Sequence, residues 1–204
     1  MNFRLRKASD RGTAEHGWLH ANFTFSSANV YDPQWTSFHS LIVMNNDIIE
    51  PGGGFPTHPH RDAEIFTYVI SGELEHRDSM GNGSVIKPGD LQYMSAGSGV
   101  THSEFNPSKE HGTELYQIWM LPNQSGGEPL YAEKKLSDSE GIGAMKLLFS
   151  GKGKDGSSPI RQDAEFWLGQ GESQKSFTLE PSPTLPHAWI QLVTGSVKVG
   201  DHTL

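Results

Sequence analysis

Apolar and polar positions along this chain alternate in short runs. "EIFTYVISGELEH", "SVIK", "LQYMSAG" and "GTELYQIWMLP" are apolar or alternating stretches, broken by "SMGNGS", "KPGD" and "AGSG". Turn signals recurring at roughly 8 to 12 residues predict many short strands, as in sandwiches and barrels, and no helical period competes with them. Residues 1–50 read as loops and short strands rich in aromatics, including "HGWLHANFTFSSANVYDPQW" and "FHSLIVMNNDIIEPGGGF". "NQSGGEP", residues 123–129, is polar, Gly-rich and closed by Pro, and is the expected linker. It divides the chain into an N-terminal domain of residues 1–122 and a C-terminal domain of residues 130–204.

The second part repeats the first faintly. "AWIQLVTGSVKVG" matches "IFTYVISGELEH", with Thr194-Gly195 standing where Ser71-Gly72 stand. In that alignment Pro181 and Pro183 fall at His58 and His60, and His187 falls at Glu64, so the copy lacks the two histidines.

Composition narrows the chemistry. With 23 Gly and 12 Pro in 204 residues and only 34% apolar residues, an all-β chain fits better than a helical bundle. A formal charge of −8 argues against nucleic acid as a partner, because phosphate binding needs clustered Lys and Arg. Cysteine is absent, which removes disulfides, thiolate metal sites and thiol catalysis. Any metal must then sit on His, Asp or Glu. No apolar leader and no long apolar window occur, so a cytoplasmic protein with no membrane partner is expected.

Two pairs carry the candidate chemistry. His58 and His60 in "THPHRDAEI" share one face of a strand, and Glu64 joins that face if the strand runs on unbroken. By itself His-x-His also fits two solvated histidines at a loop edge. In "MSAGSGVTHSEFNP", His102 and Glu104 form a second pair of the same spacing, after a Gly-rich turn able to bring a new strand alongside. Three imidazoles and one carboxylate suit one divalent transition metal: iron(II), nickel, copper, manganese, cobalt or zinc. Four protein ligands leave an octahedral ion two open positions for substrate and dioxygen. Phe66, Tyr68 and Ile70 have the histidines' parity and are read as either pocket lining or core.

Other features point to no chemistry. "GKGKDG", residues 151–156, has dinucleotide-loop spacing, but Pro159 follows and a hairpin loop accounts for it. "PGGGFP" has no Gly-Lys-Ser/Thr after it, and "GSGVTHSE" is not Gly-x-Ser-x-Gly. His16, His20, His39, His76, His111, His187 and His202 are read as lacking a ligand-type partner at i+2, and so as structural or surface residues.

The run Gly52-x5-His58-x-His60-x3-Glu64-x7-Gly72 resembles the first cupin motif, with a gap to the last Gly one residue longer than usual. Gly89-x9-Gly99-x2-His102-x3-Asn106 is similar to the second. "HGWL", "TFSSANVYDP", "NNDIIEPGGGF" with Asn46 in place of an Asp, "THPHRDAEI", "HRDSMGN", "MSAGSGVTHSE" and "LYQIWMLP" look like signatures of the pirin family, a bicupin group that includes bacterial quercetin 2,3-dioxygenase-like proteins. The likeness is dense over residues 7–121 and thin beyond.

That resemblance implies an all-β cupin fold of two barrels, the C-terminal one degenerate and without metal ligands. Because the family continues past "VGDHTL", it also implies that the second barrel is incomplete. It implies ligands at His58, His60, His102 and Glu104, with iron(II) as the expected metal. Glu64, a ligand in many other cupins, becomes an outer residue that orients a histidine. The activity implied is oxidative cleavage of a flavonol such as quercetin with dioxygen, Glu104 or a nearby carboxylate acting as general base. The alternative is a metal-binding regulator with a protein partner and no turnover.

Overall fold

The computed structural model describes residues 3–135, 143–179 and 182–204. Its strands are β1 (Gly12–Glu15), β2 (Leu19–Phe23), β3 (Leu41–Ile49), β4 (Gly54–His60), β5 (Glu64–Ser71), β6 (Leu74–Asp78), β7 (Gly83–Ile86) and β8 (Asp90–Ser95). They continue with β9 (Val100–Phe105), β10 (Thr113–Met120), β11 (Leu130–Lys135), β12 (Met145–Ser150), β13 (Ser158–Pro159), β14 (Glu165–Gly169), β15 (Lys198–Val199) and β16 (His202–Thr203). Two short 3-10 turns are the helical elements of the described residues. None of them is long and apolar enough to cross a membrane.

Strands β1-β2-β3-β10-β5-β8-β11 form a seven-stranded sheet, and β4-β9-β6-β7 a four-stranded one. Both are antiparallel throughout. The space between them is filled from both sides. Ile49, Val69 and Leu115 of the large sheet meet Leu74, Ile86 and Phe55 of the small one, and Ile65 and Met94 meet Val100.

The large sheet is also covered on its other face. Phe66, Leu91, Tyr93 and Ile118 pack there against Leu148, Phe149 and Ile160 of the C-terminal part. This is why "EIFTYVI" reads as a continuous apolar run rather than a clean alternation: Ile65, Phe66 and Val69 are all 2% exposed or less, though they point to opposite sides.

The C-terminal part is thinner. Strands β13-β12-β14 make a three-stranded sheet, and β15-β16 a small hairpin. The strand that follows the expected linker, β11, pairs with β8 on the edge of the large sheet. "AWIQLVTGSVKVG", matched in sequence to "IFTYVISGELEH", forms a strand only at Lys198–Val199. A strand exists only where a neighbour takes its N–H and C=O groups, and residues 186–194 lie in no ladder. Trp189 and Val193 are held instead by side-chain packing on the Phe66 core, with Trp189 against Phe25, Trp35 and Phe38. Of the residues expected to replace the histidines, Pro181 lies outside the described residues. His187 stacks on His39, ring centroids 4.5 Å apart, outside any strand.

Candidate metal centre

Strands β4 and β9 run antiparallel with His58 opposite His102 and Phe55 opposite Glu104, a bulge between Phe55 and His58 absorbing the difference. The pairs His58/His60 and His102/Glu104 each share a face by strand parity. Gly54 is needed for the approach: a Cβ there would stand 2.4 Å from the backbone oxygen of Glu104. Gly99, at φ +144°, turns the chain into β9.

Three imidazoles converge. Ring centroids are 4.4 Å apart for His58 and His102, 4.7 Å for His58 and His60, and 4.8 Å for His60 and His102. His58 Nδ1–H donates to the Pro56 carbonyl at 2.8 Å, which leaves its Nε2 with a lone pair. That Nε2 lies 3.0 Å from Nε2 of His102. The His60 Nε2 and His102 Nδ1 atoms are buried with no hydrogen-bond partner among the described residues.

The rings of His60 and His102 are kept neutral by burial. Burial, aided by the neighbouring His58, pushes His60 down to about 4. Burial and then His58, His60 and His76 push His102 down to about 3. Neutral imidazoles are metal ligands, and Nε2 of His102, 3.0 Å from the lone pair of His58 Nε2, offers a second lone pair to a shared cation when its proton sits on Nδ1. The donor set therefore fits a divalent transition metal.

Glu104 is 3% exposed and takes the Thr67 hydroxyl at 3.3 Å. Burial raises its carboxyl to about 7, against the lowering effect of that hydrogen bond. It lines the same cavity of about 200 Å³ as His58, His60 and His102, together with Phe55, Ile65, Gln117 and Trp119. Its carboxylate belongs to a second close set: one donor atom each from His76, His102 and Glu104 lies within 4.8 Å of the others, as do donors from His58, His60 and His102. On the outer side of His60 an open depression of about 540 Å³ is lined by Arg61, Ser79, Ser98 and Thr101.

Other expected site residues lie elsewhere. Glu64 is fully buried but faces away from the histidines. It accepts hydrogen bonds from the Tyr93 hydroxyl, from Ser95 Oγ at 2.5 Å and from the Arg161 backbone N–H at 2.9 Å, and it orients no imidazole. Phe66, Tyr68 and Ile70 likewise pack into the core against the C-terminal part and not into the cavity. The reason is that the strand does not run on. Arg61–Ala63 interrupt it, with Asp62 at φ +50°, so β4 and β5 enter different sheets and parity carries no further.

His76 is corrected as well, because it has a ligand-type residue at i+2. It is fully buried opposite Glu104 on β6, with Nε2 3.3 Å from Asp78 Oδ2. Burial lowers its pKa in spite of Asp78. Burial alone would raise Asp78, but hydrogen bonds from Asn82 and His76 hold it below the usual carboxylate range. The signal in the sequence was "HRD", which has the same spacing as "HPH" and "HSE". Asp47 on β3 had no such signal. It is 2% exposed with Oδ1 unpartnered among the described residues, and burial followed by the charge of Glu104 raises it to about 7.

Comparison with known proteins decides the family. The sequence profile described as Pirin matches residues 3–120, and that of the quercetinase C-terminal cupin domain matches residues 147–204. The chain belongs to the pirin family. This pirin is 44% identical over 197 residues to a quercetin 2,3-dioxygenase of Escherichia coli (strain K12), an alignment covering 96% of the chain and 83% of that relative. It is also 44% identical over 161 residues to a pirin-like protein of Caulobacter vibrioides, covering 78% of the chain and 69% of that relative. Among solved structures it is similar to YhhW from Escherichia coli, with a TM-score of 0.75 and 48% identity over 79% of this chain and 68% of that one. The nickel(II) complex of YhhW matches with the same TM-score at 46% identity, over 79% of this chain and 69% of that one.

Proposed function

We propose that this pirin is a metal-dependent dioxygenase that cleaves flavonols such as quercetin, at a mononuclear centre held by His58, His60, His102 and Glu104, with iron(II) as its native metal. The observation that carries the reading is the facing pair of Nε2 atoms of His58 and His102, 3.0 Å apart at the edge of a cavity walled by Phe55, Ile65 and Trp119. Its Escherichia coli relative is named quercetin 2,3-dioxygenase, and the YhhW complex with nickel(II) supports a divalent ion of this class.

When bound, the metal supplies Lewis-acid polarisation of a substrate hydroxyl. Glu104, whose carboxylate is ionised when it holds a metal, takes the hydroxyl proton of the flavonol. The apolar wall receives the aromatic rings and keeps water from the deprotonated substrate. Cleavage then places both atoms of dioxygen in the products and releases the carbon between the cleaved bonds as carbon monoxide. The division into a metal-bearing domain of residues 1–122 and a ligand-free domain of residues 130–204 belongs to the same proposal.

The test loads metal-stripped protein with iron(II), nickel, copper, manganese, cobalt or zinc. Each form is incubated with quercetin while flavonol absorbance and carbon monoxide are followed. Loss of absorbance with matching carbon monoxide is the expected result. No turnover with any of the metals overturns the flavonol reading and leaves the regulator.

A further inference from the structure

His76 and Asp78 lie on β6, outside the four proposed ligands, and their arrangement is more specific than packing requires. Asp78 Oδ1 accepts the backbone N–H groups of Met80 and Asn82 at 2.9 and 3.0 Å, which locks its carboxylate in the β6–β7 turn. Oδ2 accepts the Asn82 amide at 2.9 Å and faces His76 Nε2 at 3.3 Å. An ionised carboxylate has no proton to give, so the proton in the His76–Asp78 contact is on Nε2, and Nδ1 of His76 keeps a lone pair.

That lone pair is buried without a partner among the described residues, and so is Nδ1 of His102, whose ring centroid lies 5.3 Å away. If His102 is to present a lone pair at Nε2, where it meets His58, its proton must sit on Nδ1. One ring then lacks an acceptor and the other lacks a donor. Buried polar groups left in that state are costly.

We propose that His76 is a positioning residue for the metal centre: Asp78 fixes its tautomer, and when the ion is bound its Nδ1, unpartnered without it, accepts the Nδ1–H of His102 and so holds Nε2 of His102 toward the ion. The Asp78–His76–His102 series is a carboxylate–histidine–metal arrangement lengthened by one imidazole. It leaves the ligand count unchanged and sets the direction and basicity of one ligand. The inference rests on the metal-centre reading of the preceding subsection.

The test uses the full chain, stripped by a chelator and titrated with cobalt(II), whose visible spectrum reports the donor set independently of turnover. His76→Leu and Asp78→Asn are expected to weaken cobalt(II) binding about 10–100-fold with the visible bands retained. His76→Asn, which keeps an acceptor oxygen near the place of Nδ1, is expected to recover most of the loss. In Asp78→Asn the Oδ1 contacts of the turn survive, so this variant carries the test if His76→Leu fails to fold. Affinities of His76→Leu and Asp78→Asn indistinguishable from wild type overturn the proposal. A His76→Leu spectrum that has lost a nitrogen donor also overturns it, by making His76 a ligand. Wild-type protein that takes up no cobalt(II) instead sinks the metal-centre reading, and this inference with it.

Discussion

Glu64 and Glu104 are both glutamates of the barrel with almost no exposure, 0% and 3%, yet they stand in opposite conditions. Glu64 accepts hydrogen bonds from the Tyr93 and Ser95 hydroxyls and the Arg161 N–H, and these tie the large sheet to the C-terminal part. Glu104 accepts one, from Thr67, and lies beside imidazoles that lack partners. A buried carboxylate with its lone pairs filled is structural. One left nearly bare among unpaired nitrogens marks where a ligand belongs.

The largest expected difference between the two glutamates is in stability. Glu64→Ala leaves two hydroxyls and a backbone N–H buried without their acceptor and is expected to cost about 3–5 kcal/mol in denaturant unfolding. Glu104→Gln in the metal-free protein removes a desolvated acid and is expected to cost little or to stabilise. Equal losses would mean that the two carboxylates do the same work.

Metal binding should reverse the ranking. His58→Ala, His102→Ala and Glu104→Gln are each expected to weaken metal binding at least 100-fold, about 3 kcal/mol, beyond the range typical of outer partners. Glu64→Gln is expected to leave it unchanged. Metal content of the purified variants, measured by elemental analysis, checks both.

Sequence patterning made much of the fold and part of the site legible, and the limits are local. Turn spacing was enough for an all-β chain, and strand parity was enough to put His58 with His60 and His102 with Glu104. Parity could not survive Asp62, whose left-handed backbone sends β5 into another sheet and carries Glu64, Phe66 and Tyr68 to the far side. Asp47 was beyond reach for another reason. It stands in β3, where only ladder register brings it beside Leu115 and within reach of the Glu104 charge, and no local spacing records that.

Asp47 adds a third buried carboxyl, and pH reveals it. Burial raises its folded pKa from 3.8 to about 7, so between those values the folded chain keeps a proton that the unfolded chain has released. Asp47 alone therefore contributes a fall in the stability of the metal-free protein as pH climbs from about 4 to about 7, by at most about 4 kcal/mol. Asp47→Asn abolishes that contribution, while Glu104 adds a fall of the same sign and His60 and His102 add rises of the opposite sign in both proteins. Because the amide keeps part of the desolvation cost, a gain of about 2 kcal/mol is expected at pH 8 and none at pH 4. Parallel unfolding curves of the two proteins across this range would refute the buried acid.

The smallest expected effect separates the two carboxylates by their hydroxyl donors. Thr67 Oγ1 stands 3.3 Å from Glu104 Oε1 and favours its ionised form. Thr67→Val keeps the shape and removes the donor, worth about 1 kcal/mol. The Glu104 pKa then rises by somewhat under one unit, about 1.4 kcal/mol being a full unit. A ligating carboxylate must lose its proton, so the pH midpoint of metal uptake moves upward by a similar amount. Ser95→Ala removes a hydroxyl from Glu64 and is expected to lower stability without moving that midpoint. If both variants shift it, Glu64 communicates with the centre through β5, and the two faces of the sheet are not independent.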